Sequence, residues 1–189
     1  MSPMPLAILD RDGVINRESD AFIKHPDEWQ PLPGALEAIA RLHLAGWHLA
    51  IATNQSGLAR GLFDIDALNA IHAKLLRRVQ AVGGNIDLIT FCPHGPDDDC
   101  DCRKPHPGLL HQIGCRFDRS LAGVPVIGDS WRDLEAARVV GAQPILVLTG
   151  RGEKTRQAHR DELEGIAVVD DLAAAVDLLL DGVDAEPSR

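Results

Sequence analysis

Leu6-Ala7-Ile8-Leu9 is a continuous apolar run followed at once by Asp10-Arg11-Asp12-Gly13-Val14-Ile15-Asn16. A strand buried on both faces reads this way, and such strands belong to parallel sheets covered by helices on both sides. Open sheets of this class place their reactive groups beyond the carboxyl ends of the strands, so the run says where Asp10 and Asp12 are to be sought. Alternation along an extended chain predicts that both carboxylates point to one face, where they can share a metal ion and a phosphate. Gly13 lets the chain turn away there. Taken alone, an Asp-x-Asp-Gly is more often an ordinary turn; the later segments change that balance.

The rest of the chain alternates strand and helix signals. Residues 17–33 are polar and interrupted by Pro26, Pro31 and Pro33, which predicts an irregular, cap-like excursion over the active end, too short for an independent cap domain. Helical periodicity over 34–44 precedes a strand over 47–53. Asp64 can cap a helix reaching about residue 82, Gly83-Gly84 breaks it, and 86–91 supplies the next strand. Helices are expected over 107–113, 134–140 and 172–180, and strands over 124–127, 144–148 and 166–169. Thr149-Gly150-Arg151-Gly152-Glu153-Lys154-Thr155 lacks the spacing of a nucleotide-binding loop and reads as a surface turn. The tail, 184–189, has no apolar anchor and is expected to fray. These repeated βα units predict one α/β domain over 1–189, Rossmann-like, with a mostly parallel central sheet. Aromatic residues make up 4% of the chain and Tyr is absent, so aliphatic packing must build the core.

A formal charge of −9 disfavours nonspecific nucleic-acid binding, which relies on basic groups to neutralise phosphates. No stretch reads as a signal peptide or a membrane span, so a cytoplasmic monomer with no membrane partner is expected. In that compartment the four cysteines are thiols or metal ligands.

Three further segments point to phosphate chemistry. Thr53-Asn54-Gln55-Ser56-Gly57 follows a buried strand with hydroxyl, amide and glycine groups, the means to hold phosphate oxygens without a charged side chain. Arg103-Lys104-Pro105-His106-Pro107-Gly108 sets two cations before a helix, and the Lys104 ammonium can bridge a carboxylate and a phosphoryl oxygen. Val126-Ile127-Gly128-Asp129 repeats the strand-to-acid design, so Asp129 can complete a magnesium site with the first pair. Asp133 can hold a metal-bound water, orient Lys104, or simply cap a helix. His25 is a weaker candidate for approaching substrate, and Trp131 for bordering the site.

Cys92-Pro93-His94 and Cys100-Asp101-Cys102 offer three sulfurs and one imidazole across a short acidic loop, 92–102. Four such ligands fill a tetrahedral zinc site and leave no vacancy for an activated water, so the predicted role is structural.

Together, Asp10-Arg11-Asp12-Gly13-Val14-Ile15-Asn16, Thr53-Asn54-Gln55, Lys104 and Gly128-Asp129 with Asp133 resemble the four ordered motifs of the haloacid dehalogenase superfamily of phosphatases. Asn54-Gln55-Ser56-Gly57-Leu58-Ala59-Arg60-Gly61 and Cys102-Arg103-Lys104-Pro105-His106-Pro107-Gly108 resemble the D-glycero-D-manno-heptose 1,7-bisphosphate 7-phosphatases, and the Cys-x-His…Cys-x-Cys set resembles their zinc site. Where many members carry Lys after the fourth-motif aspartate, this chain has Ser130. The resemblance implies a magnesium-dependent phosphomonoesterase. Asp10 would be its nucleophile and Asp12 its general acid and base. Magnesium would sit on Asp10, Asp129 and the Asp12 carbonyl, with the phosphoryl group on Thr53 and Lys104 and with Asn54 supporting. Arg103 is then expected to take the distal phosphate of a phosphorylated sugar. Histidinol phosphate is the alternative substrate, and a zinc-stabilised interaction module the non-enzymatic alternative.

Overall fold

The structure is a computed structural model that describes residues 4–184. Six strands form one sheet in the order β3-β2-β1-β4-β5-β6, from β1 (Leu6–Leu9), β2 (His48–Asn54), β3 (Leu88–Cys92), β4 (Pro125–Gly128), β5 (Gln143–Val147) and β6 (Ala167–Val169). Every pairing is parallel, so the sheet goes beyond the mostly parallel expectation. The chain winds outward from β1 through β2 to β3, then crosses back to place β4 on the other side of β1. This reversal opens a crevice at the carboxyl ends of β1 and β4, the switch point at which open α/β sheets bind ligands.

Side-chain alternation divides the core in two. Ala7, Leu9, Leu49 and Ile51 pack with α1 (Ala35–Leu44), α2 (Ile65–Ala81) and α6 (Leu172–Asp184). Leu6, Ile8, Ala50 and Ala52 face α3 (Gly108–Arg116) and α4 (Trp131–Val139). One-residue steps along β1 thus feed opposite layers, which pins strand register against slippage.

The expected elements are present, with three informative differences. α4 begins at Trp131 because Ser130 and Asp133 form a reciprocal capping box, so Asp133 lies inside the first turn and Ser130 is the cap. The expected surface turn at 149–155 instead leads into α5 (Gly152–Ala158), whose Thr155 hydroxyl donates to the Asp129 carbonyl at 2.9 Å. Its sequence, Gly-Glu-Lys-Thr-Arg-Gln-Ala, has almost no apolar stripe, so periodicity could not reveal it. The excursion over 17–33 is irregular but anchored. Ile23 and Trp29 are buried, and Lys74 of α2 donates to the Pro26 and Trp29 carbonyls at 2.6 and 3.1 Å. Asp184 closes α6, and the remainder of the expected frayed tail lies outside the described residues.

Ile127 lies at the centre of the sheet, fully buried on β4. Ile127→Ala is expected to cost about 2–5 kcal/mol, through lost burial plus an unfilled cavity. Denaturant unfolding checks this: the midpoint should fall while the slope stays constant.

Candidate active site

Lys104 is 4% exposed and arrives at the crevice from the loop before α3. Its three ammonium protons meet three acceptors: the Ala52 carbonyl at 2.6 Å, Asp133 Oδ1 at 2.6 Å and Asp10 Oδ1 at 3.0 Å. Burial pulls the lysine pKa down, but the Asp10 and Asp133 carboxylates more than offset this, and it ends above the ordinary value. Asn54, at the end of β2, fixes the backbone beneath. It donates to the Lys104 carbonyl and accepts from the Lys104 amide, both at 3.0 Å. Thr53 is buried beside it and accepts from the Gln55 amide at 2.9 Å. Asp133 is thus ion-paired with Lys104, a geometry compatible with one of the roles its sequence position left open. Its second oxygen, Oδ2, accepts from the Ser130 amide and hydroxyl at 3.0 and 2.7 Å.

Asp10, Asp129 and Asp133 bring carboxylate oxygens within 4.8 Å of one another, with Lys104 between. Burial pushes Asp10 up to about 7, with Lys104 opposing and Asp133 and Asp12 reinforcing the shift. Burial also pushes Asp129 up to about 8, reinforced by Asp10 and Asp133. Three glycines make this crowding possible. A Cβ on Gly13 or on Gly150 would overlap the Asp129 carboxylate, and one on Gly128 would overlap Asp133. Asp10 Oδ1 accepts from the Arg11 amide at 2.8 Å and Asp129 Oδ2 from the Arg151 amide at 2.8 Å. Among the described residues, no side chain or amide donates a hydrogen bond to Asp10 Oδ2 or Asp129 Oδ1. Hard carboxylate oxygens left free in a negatively charged, half-closed site are the donor set a divalent cation requires.

Asp12 departs from the expected strand geometry. β1 ends at Leu9; the Asp10 amide still donates to the Ile127 carbonyl of β4, but the Ile15 and Asn16 amides fold back onto the Arg11 carbonyl, so Asp12 sits in a turn and not two positions further along a strand. Both still line the cleft. The Asp12 carboxylate accepts from Asn16 at 2.8 Å, Gln55 at 2.9 Å and twice from the Arg11 Nη2 at 2.9 and 3.0 Å. Burial alone would raise its pKa, but Arg11, Asn16 and Gln55 bring it below the ordinary carboxylate value.

Above this floor lies a cleft of about 350 Å³. Arg103 lines it as expected, joined by Arg60 and Arg132, which the sequence reading did not select. Burial lowers the Arg103 pKa, and the nearby Arg132 and Arg60 charges add to the effect. Glu18 and Arg151, also in the lining, pair with each other and tie the excursion to the loop after β5. Neither was selected, since their meeting depends on two segments distant in sequence. The two weaker candidates, His25 and Trp131, fall outside the cleft lining, as does His106. Exposed His25 pairs with Asp27, His106 meets the Cys100 carbonyl at 2.7 Å, and Trp131 stacks on His159 with ring centroids 4.3 Å apart.

Beside the cleft, Cys92, His94, Cys100 and Cys102 converge, with ligating atoms within 4.8 Å of one another. Sulfur separations of 2.9 and 3.9 Å for Cys92 to Cys102 and Cys100 bracket the roughly 3.8 Å edge of a tetrahedral zinc thiolate site. Cys92 is buried at the end of β3, and burial with the adjacent Cys102 pushes its thiol up to about 12. Without a metal these surroundings favour the protonated thiol, and a bound cation would take the place of the protons. Arg103 Nη1 donates to the His94 carbonyl at 3.2 Å, so the cluster and the cationic rim are physically joined.

Residues 5–127 match the polynucleotide kinase 3 phosphatase family, and residues 101–175 the HAD-hydrolase-like family. The chain is 58% identical over 177 residues to a D-glycero-beta-D-manno-heptose-1,7-bisphosphate 7-phosphatase of Bordetella bronchiseptica, covering 94% of this chain and 98% of that one. It is 55% identical to the Pseudomonas aeruginosa enzyme of the same name, covering 93% and 97%. The crystal structure of the B. bronchiseptica D,D-heptose 1,7-bisphosphate phosphatase, complexed with magnesium and phosphate, matches with a TM-score of 0.91 at 57% identity over 95% of this chain and 99% of that one. Likeness of this extent, over a fold and a site already legible in the residues, shows that the chain belongs to the D-glycero-D-manno-heptose 1,7-bisphosphate 7-phosphatase family of haloacid dehalogenase-like hydrolases.

Proposed function

We propose that this chain hydrolyses the C7 phosphate of D-glycero-β-D-manno-heptose 1,7-bisphosphate, giving inorganic phosphate and the heptose 1-phosphate, a step toward ADP-heptose and the lipopolysaccharide core. The carrying observation is positive charge at two depths of one cleft: the Lys104 ammonium at the floor, and Arg60, Arg103 and Arg132 at the rim. That arrangement suits a small molecule with a phosphate at each end. Histidinol phosphate has a cationic amine at its far end, which the three rim arginines would repel. A zinc-stabilised interaction module gives no reason for the buried carboxylates around Lys104.

Asp10 attacks phosphorus through its free Oδ2, and the bond from phosphorus to the sugar oxygen breaks with its electron pair on oxygen. Asp12 gives that oxygen a proton; the incoming phosphate dianion favours the protonated form of a neighbouring carboxyl. Water then attacks the aspartyl-phosphate as Asp12 takes its proton, and the bond between Asp10 and phosphorus breaks. Lys104 and Thr53 hold the phosphoryl oxygens, Asn54 holds Lys104, and Asp133 keeps the ammonium aimed. Magnesium, held by the carboxylates of Asp10 and Asp129 and the Asp12 carbonyl, supplies the charge that lets two anions approach. Zinc on Cys92, His94, Cys100 and Cys102 supplies a closed cross-link that sets the loop carrying Arg103. In this reading, residues 17–33 form a short cap over the cleft, and residues 92–102 the zinc loop. We place the reaction in the cytoplasm, carried out by a monomer with no nucleic-acid or membrane partner. The net negative charge disfavours a nucleic-acid partner, and among the described residues no helix is long and apolar enough to cross a membrane.

Asp10→Asn is expected to lower phosphate release with saturating magnesium by on the order of 10⁴-fold. Near-normal turnover would remove Asp10 from the nucleophile role. Arg103→Ala should lower kcat/KM for the bisphosphate roughly ten- to a hundredfold, the worth of a charge-assisted contact, while changing the heptose 7-monophosphate far less. Equal losses on the two substrates would detach Arg103 from the distal phosphate. Preference of the parent enzyme for histidinol phosphate, in side-by-side kcat/KM, would overturn the substrate assignment.

Cys100→Ser and Cys102→Ser should lose zinc, raise amide exchange across residues 92–104 and slow turnover even in excess magnesium, because Arg103 and Lys104 lose their fixed positions. Zinc loss with unchanged exchange and rate would refute this coupling.

A further inference from the structure

Arg11 stands between two acids of the site, yet its side chain is fully buried and does not line the cleft. Its guanidinium spends Nε and Nη2 on Asp12, with Nε to Oδ1 at 3.0 Å and Nη2 to Oδ1 and Oδ2 at 2.9 and 3.0 Å. Its remaining nitrogen, Nη1, meets a single side chain, His72 Nε2, at 3.1 Å. A guanidinium only donates, so Nε2 must accept, and the imidazole is neutral with its proton on Nδ1. His72 is 8% exposed and occupies α2 within the apolar stripe of Leu68, Ile71, Leu75 and Val79. A polar ring in that stripe is costly unless paired, and a buried guanidinium is costlier still with a nitrogen left unpaired. Burial, reinforced by Arg11, pushes the His72 pKa down to about 3, in keeping with an acceptor ring.

We propose that His72 is a positioning residue for proton transfer: as a neutral acceptor it fixes the Arg11 guanidinium, which in turn fixes the Asp12 carboxyl where it delivers a proton to the departing oxygen. The inference rests on the assignment of Asp12 as the proton donor made above. His72 touches neither substrate nor cleft; it acts through a chain of two contacts, from α2 to the turn after β1.

The test uses leaving groups of different basicity. Departure of a sugar alkoxide needs a proton, whereas departure of p-nitrophenolate does not, and kcat/KM covers only the steps up to that departure. His72→Leu removes the acceptor while keeping an apolar helix former, so kcat/KM for the heptose bisphosphate should fall about tenfold, a loss typical of a misplaced catalytic group. The value for p-nitrophenyl phosphate should stay within about twofold of the parent. His72→Gln, whose Oε1 can take the place of Nε2, should restore the sugar phosphate rate to within about threefold. Asp12→Ala is the reference and should show the same leaving-group selectivity in larger measure. If Asp12→Ala lacks it, the proton-donor assignment itself fails; if Asp12→Ala shows it and His72→Leu does not, only the His72 inference fails. Equal losses on both substrates, or a Gln variant as impaired as Leu, would overturn the inference. Thermal unfolding and zinc content are measured on each variant. Failure to obtain folded His72→Leu, with His72→Met failing likewise and Gln folding, would overturn it in favour of a purely structural role.

Discussion

The fold is organised around one buried ammonium. Lys104 meets a β2 carbonyl, the acid after β1 and an acid in the first turn of α4, so three elements distant in sequence are tied at one nitrogen. Burying a charge is expensive, and the cost is offset only when each donor has a partner and the partners are themselves fixed. Here they are. Asp133 is locked by the Ser130 capping box, Asp10 by the Arg11 amide, and the Lys104 backbone by the two-way Asn54 bond. Removing one partner would strand a charge in a water-poor site.

The same crowding explains the glycines. Asp129 is squeezed between Gly13 and Gly150, both at positive φ, and a β-carbon at either would occupy the volume of its carboxylate. The conformational freedom of glycine is used twice over at these positions, for the backbone turn and for close approach. The loop after β5 then closes the site from the third side. Thr149 donates to the Gly13 carbonyl at 2.7 Å, the Arg151 amide reaches Asp129, and the Arg151 side chain pairs with Glu18 of the excursion. The cleft is therefore shaped by contacts among loops that the parallel sheet delivers to one edge.

The cysteine cluster is separate from the carboxylates. It begins at Cys92, the last residue of β3, and ends where Arg103 begins, so a metal ion held there would limit how far the basic segment can move. The hydrogen bond from Arg103 to the His94 carbonyl makes this a mechanical connection and not mere proximity. Rigid placement matters because a cation displaced by an ångström loses much of its effect on a phosphoryl group.

What the sequence by itself determined was everything that local pattern encodes. Apolar runs such as Leu6–Leu9 and 124–127 marked the strands, the acids that follow them marked the active edge, and ligand spacing marked Cys92, His94, Cys100 and Cys102. The family followed from four such segments in order, because each carries its chemistry within a few residues. The helix at Gly152–Ala158 escaped notice because it has no apolar stripe to read. Tertiary structure alone decided the pairings between distant segments: Arg11 with His72, sixty-one positions apart; Asp129 with the Arg151 amide, twenty-two apart; Glu18 with Arg151. It also turned Asp12 away from simple strand alternation, since the chain folds back on the Arg11 carbonyl as soon as β1 ends. Periodicity reports which face of an element is buried, but not which partner waits there; that choice is made only when sheet order and helix packing bring the segments together.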